Sequence, residues 1–138
     1  PDRVDLLPGL MDSVTELAGP FDMQVRGMGY FGSPRRPRII WAGIDPVPGA
    51  LLALQRAMSR TLAVADFIVE ARPFHPHITL GRVRGGSVPS ALTSEVISTT
   101  NDVFGEASVR RVSLMRSQLS RDGAVYTTLH RAPLRGAH

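Results

Sequence analysis

Between residues 2 and 18, apolar side chains recur at Val4, Leu6, Leu7, Leu10, Met11, Val14 and Leu17, the spacing of one helical face. Pro8-Gly9 interrupts or restarts that helix, and Gly19-Pro20 ends it. From Phe21 to Phe31 the pattern shortens to a loose alternation and predicts a strand. Ile39 to Ile44 predicts a second strand around Trp41, after the polar loop Gly32-Ser33-Pro34-Arg35-Arg36-Pro37-Arg38. Beyond Asp45-Pro46-Val47-Pro48, the apolar set Leu51, Leu52, Leu54, Met58 and Leu62 predicts a helix near 49–63. Ala71-Arg72-Pro73 opens a third strand, Gly85-Gly86-Ser87 closes it, and Val88 to Thr100 reads as a helix. Two strands near 104–118 and 124–131 complete the chain, joined at Arg121-Asp122-Gly123, where Asp-Gly is a hairpin signal. Strands that come as hairpin partners between helices predict an α+β fold with largely antiparallel sheets. Trp41 and Tyr126 lie in alternating strands and are expected in the core. Met11, Met23, Met28, Met58 and Met115 read as packing filler.

A weak repeat runs through this pattern. At a spacing of 84 residues Val25-Arg26 falls on Val109-Arg110 and Ser33 on Ser117, each within a Phe-led strand, polar loop and return strand that follow a helix. Duplication and chance likeness between two hairpins account for these matches about equally well. Under duplication, the counterpart of His77 lies a few residues before Pro1.

The bulk numbers narrow the class. A chain of 138 residues with 43% hydrophobic content forms one domain or two small lobes with a real core. No apolar run approaches a membrane-spanning length, and no secretory signal is visible. The absence of Cys rules out disulfides and thiolate chemistry and is compatible with a reducing cytoplasm. The formal charge is +4, and every one of the 16 basic residues is Arg. Coding bias in a GC-rich genome explains that usage. The clustering says more, because the planar guanidinium matches phosphate geometry and favours anionic partners such as nucleic acid.

The candidate chemistry is concentrated in Phe74-His75-Pro76-His77-Ile78-Thr79-Leu80-Gly81-Arg82. In an extended segment His77 and Thr79 share one face, while Ile78 and Leu80 face the other way and are expected to anchor the strand in a core. An imidazole beside a neutral hydroxyl suits proton transfer at a phosphate ester. The form Phe-x-Pro-His-Ile-Thr-Leu-x-Arg over 74–82, with Phe31 to Gly43 as a second region of likeness, resembles the 2H phosphoesterase superfamily. It is most similar to its RNA 2′,3′-cyclic phosphodiesterases, also called the 2′-5′ RNA ligase family.

That resemblance implies a bilobal, pseudo-twofold arrangement of antiparallel sheets with flanking helices around a central cleft. The approximate lobes are 21–70 and 71–138, with strand exchange between them allowed. It implies one His-x-Thr motif from each lobe. One histidine activates water, the other protonates the leaving ribose oxygen, and the threonines bind phosphate, without cofactor or metal. The product is a 2′-phosphomonoester, and ligation through a 2′-5′ bond is the reverse reaction. His77 and Thr79 are the expected catalytic residues. The partners implied are RNA ends with 2′,3′-cyclic phosphate or cyclic nucleotides, acted on by a cytoplasmic monomer. Only one His-x-Thr is present, so the first is expected just upstream of Pro1 in an N-terminally truncated chain that is inactive or severely impaired as it stands. The alternative is a non-catalytic module that binds RNA or nucleotide phosphate.

The neighbouring residues are assigned more coarsely. Arg82 is expected at phosphate or ribose, but alternation turns it to the apolar side unless a bulge or strand end falls at Gly81. Phe74 either stacks on a base or packs in the core. Arg35, Arg36 and Arg38 are either a solvated loop or a guide for RNA backbone. His75 reads as a cleft-edge residue, because His-x-His without a third ligand is a poor zinc site. Arg110, Arg111 and Arg116 offer a second basic patch, although alternation sends Arg110 and Arg111 to opposite faces.

Overall fold

The computed structural model describes residues 3–85 and 88–136. A 3-10 turn at Arg3–Leu6 leads into α1 (Leu7–Thr15), so Pro8 sits in the first helical turn, where its missing N–H is harmless. β1 (Phe21–Gly32) and β2 (Pro37–Ile44) form an antiparallel hairpin. α2 (Gly49–Val64), β3 (His77–Arg82) and α3 (Ser90–Ser98) follow. The last three strands are β4 (Val103–Val109), β5 (Arg111–Ser120) and β6 (Gly123–Pro133).

The expected strand over 104–118 is therefore two strands. The chain breaks step at Arg110, whose carbonyl accepts from Leu134 N–H at 2.8 Å. β4 belongs to a four-stranded sheet of order β3-β2-β1-β4, and β5 pairs only with β6. The apolar phase changes there, from Ala107 and Val109 to Val112 and Leu114 across the charged pair Arg110-Arg111, so the break coincides with a shift in the alternation. The β1–β2 turn passes through Pro34-Arg35, closed by reciprocal Ser33 and Arg36 backbone bonds, and the β5–β6 turn through Arg121-Asp122. The turns thus lie three residues further apart than the 84-residue spacing of the sequence repeat.

The chain divides into two compact units, each built from separate stretches. One comprises 1–21, 49–71 and 108–138, the other 22–48 and 72–107. The four crossings fall at 21/22, 48/49, 71/72 and 107/108, the first two beside Gly19-Pro20 and Pro46-Val47-Pro48. In the first unit Val14, Leu54 and Leu134 form a buried core that Phe21, Met58 and Val112 flank. Burying each such side chain contributes about 1.5–3 kcal/mol. Asp12 on α1 meets His130 Nε2 at 2.8 Å. Tyr126 departs from its core expectation and is 55% exposed, because it pairs with Ser117 toward the turn of the hairpin, away from the end where Val112, Ala132 and Leu134 pack in the core. Met115 is likewise exposed rather than packed. In the second unit the buried residues include Ala42 and Ile44 of β2 and Thr93 and Val96 of α3. No described helix is long and apolar enough to cross a membrane.

Candidate active site

The motif strand β3 lies at the end of the sheet order, and all six of its residues are exposed. Ile78 is 41% and Leu80 55% exposed, so the expected apolar anchor into a core is absent. An outer strand has a sheet neighbour on one side only, and the hold on β3 comes from its ladder to β2. His77 pairs with Gly43, Thr79 with Trp41, and Arg82 with Ile39. Gly43, Trp41 and Ile39 are alternate residues of β2 and share a face, so their partners share it too. Leu80 is the extra residue of a register shift between the Thr79 and Gly81 pairs. That shift turns Arg82 back to the side of His77 and Thr79, the condition its assignment required.

The His77 ring is open to solvent but not free to spin. Its Nδ1–H donates to the His75 carbonyl at 2.6 Å. A carbonyl can only accept, so the proton of the neutral ring sits on Nδ1 and the lone pair is left on Nε2. Phe31 stands edge-on to the ring, 5.1 Å between centroids. Nε2 is the atom available for proton exchange.

Beside this strand lies a hollow of about 340 Å³, lined among others by Arg26, Trp41, Asp45, Phe74 and His75. Gly43, the partner of His77, also lines it. Trp41 is therefore a half-buried wall residue rather than core. It packs on Phe31 at 5.5 Å and edge-on to His75 at 4.7 Å. Phe74 is 42% exposed at the same hollow, which leaves its ring accessible. The indole lies directly over Gly29, where a Cβ would collide with it, and a Cβ on Gly43 would stand 2.9 Å from the Arg26 carbonyl oxygen. Glycines inside β1 and β2 are the sequence signal for this close approach. Arg26 Nε and Trp41 Nε1 are buried with no hydrogen-bond partner among the described residues. Each such donor costs about 1–3 kcal/mol when left unmet.

The arginines divide. Arg35 and Arg36 are exposed at the β1–β2 turn, at the Arg82 end of the sheet. Arg38 is the extra residue of a second bulge, between the Ile39 and Pro37 pairs, and strict alternation does not assign its face. From Gly43 to Arg36 is about 23 Å of extended chain. Arg111 and Arg116 point to opposite faces of β5 and do not make one patch. No group of three or more metal-ligating side chains occurs among the described residues.

This geometry has known relatives. Residues 44–126, more than half of the chain, match the family described as LigT like Phosphoesterase. The chain belongs to that family. An Aeropyrum pernix RNA 2′,3′-cyclic phosphodiesterase is 34% identical over 110 residues, 80% of this chain and 62% of its own length. A Geobacillus stearothermophilus protein of the same name is 33% identical over 99% of this chain, which covers 42% of that protein. The chain thus spans less than two thirds of these relatives. The crystal structure of TT0787 of Thermus thermophilus superposes with a TM-score of 0.70 at 30% identity, over 100% of this chain and 74% of that one. Escherichia coli LigT complexed with 3′-AMP shares the fold, at a TM-score of 0.68 and 24% identity, over 95% of this chain and 68% of that one. The α+β architecture is that of the LigT structures.

Proposed function

We propose that the LigT-like protein hydrolyses 2′,3′-cyclic phosphate ends of RNA to 2′-phosphomonoesters in the cytoplasm. The observation that carries this reading is His77 with Nε2 open, next to Thr79 and Arg82 on one sheet face. The names of the relatives supply the substrate class. Displacement at phosphorus needs a proton taken from water on one side and a proton given to the leaving ribose oxygen on the other. His77 performs one of these transfers through Nε2, and a second acid/base group opposite performs the other. The Nδ1–H bond to His75 steadies the imidazolium when Nε2 is protonated. Thr79 donates its hydroxyl to a non-bridging oxygen, and Arg82 offers a fork of N–H groups to the same phosphate. The bond that opens is P–O3′, its oxygen leaving as the 3′-hydroxyl, and with the 5′-hydroxyl of a second RNA attacking in place of water the same displacement joins the two ends through a 2′-5′ bond.

The full-length gene product, given RNA ending in a 2′,3′-cyclic phosphate in the presence of EDTA, is expected to yield only the 2′-phosphomonoester. Phosphate-specific end analysis reads the outcome. A 3′-phosphate product, or binding without turnover, would overturn the reading.

Arg35 and Arg36 extend the site along the RNA backbone. Raising salt is expected to weaken binding of a long RNA end steeply, with log K falling by about 0.7 per contacted phosphate for each unit of log salt. A cyclic mononucleotide, too short to reach the turn, should show a shallower slope. Equal slopes would remove these arginines from the site.

A further inference from the structure

We propose that the outer face of the β5–β6 hairpin is a docking surface for unpaired RNA, separate from the residues that meet the reacting phosphate. The choice of RNA rests on the phosphodiesterase reading, and the test below lets the two fail separately.

The hairpin has two unlike faces. On the inner one Val112 packs on the core, its partner Ala132 is fully buried, and His130 meets Asp12 of α1. The outer face carries Arg111, Ser113, Met115 and Ser117, because alternate residues of a strand point the same way. Arg131, Thr128 and Tyr126, the partners of Ser113, Met115 and Ser117, share that side. Leu129 is the extra residue of the register shift, which is why Arg131 and Tyr126 fall on one face although five positions separate them. The Thr128 hydroxyl donates to Met115 Sδ at 3.4 Å, a contact that only a common face allows. All seven side chains are exposed.

Charge selects the occupant. From Arg111 to Pro133 the sequence holds four arginines and a single acid, Asp122, which lies in the turn. Arg111 and Arg131 stand on adjacent strands, two positions out of register, and neither meets a carboxylate among the described residues. Two neighbouring guanidinium forks suit the phosphates of a nucleic-acid backbone. Tyr126, opposite Ser117, stands about 14 Å further along the strand than the Ser113–Arg131 pair. Its open ring can stack on an unpaired base of any identity. A duplex keeps its bases stacked inside and offers only phosphates. An acidic peptide would answer the arginines and leave the ring unused. A single strand uses both.

The test measures binding of a fluorescent RNA strand with an ordinary 3′-hydroxyl to the full-length gene product. Tyr126→Ala is expected to weaken binding about tenfold, the worth of one stacked base, and Tyr126→Phe to preserve it. The double variant Arg111→Gln, Arg131→Gln should also bind more weakly. Its slope of log K against log salt should be shallower by about 1.4, two phosphate contacts at about 0.7 each. Turnover of a 2′,3′-cyclic mononucleotide should stay at the wild-type value in all of them. Unchanged RNA affinity in Tyr126→Ala and the double variant overturns the surface, as does equal affinity for an RNA duplex or for polyglutamate. Loss of mononucleotide turnover together with RNA affinity overturns it too, since it would place these residues at the reacting phosphate. Each of these results leaves the phosphodiesterase reading standing so long as the wild type turns over cyclic ends. A wild type that turns over none, with RNA affinity still lost in the variants, ends that reading and keeps the surface. If circular dichroism shows Tyr126→Ala unfolded, the double variant decides.

Discussion

Replacing His77 with Ala is expected to lower kcat for a 2′,3′-cyclic nucleotide by about 10²–10⁴-fold, the usual worth of a positioned acid or base. The unfolding midpoint should scarcely move. His77 lies exposed on an outer strand, and its Nδ1 partner is a carbonyl that solvent can satisfy after truncation. Stopped assays in parallel with thermal unfolding separate the two effects. Turnover at the wild-type rate from a folded variant would remove His77 from the chemistry. A variant that loses activity and fold together would mean that the ring matters for the strand rather than for phosphorus.

The second large effect is expected from a residue that carries no side chain. Gly29→Ala should destabilise the protein by about 1–3 kcal/mol, the range for overpacking. Its methyl group would enter the Trp41 indole, which has Phe31 on another side. The displaced indole also loses its edge contact with His75, so KM for cyclic nucleotides should rise with the loss of stability. Gly81→Ala is the control: nothing stands within 4 Å of a Cβ there, and the change should be close to neutral. Urea unfolding of the two variants side by side reads the difference. Equal stability of both would show that the sheet yields at Gly29 without cost.

The hairpins are legible in the sequence because alternation and Asp-Gly punctuation are local signals. Legible too is what Arg82 needs in order to join His77 and Thr79, and the register shift at Leu80 provides it. Other features are not. The break at Arg110 coincides with a phase shift in the apolar positions, Val109 to Val112 across Arg110-Arg111, but which partner each half takes is decided by tertiary pairing. The exposure of Ile78 and Leu80 depends on β3 being outermost, which strand order decides and residue type does not. Trp41 reads as core because large aromatics in strands usually are. Its place as a wall follows from the room left by Gly29, which alternation alone does not reveal. Arg26 carries no motif at all, and only its unmet buried N–H marks it.

The four passages of the backbone between the two units have a kinetic consequence. Neither unit can complete itself from a nascent chain until distant stretches have been made and brought together, since the stretch 22–48 waits for 72–107 and α1 for the β5–β6 hairpin. Closing such long loops before any contact rewards them slows collapse and leaves strand edges bare in the interval. The protein is thus built to mature only after β6 has left the ribosome, and its sheet edges are most open to mispairing before then.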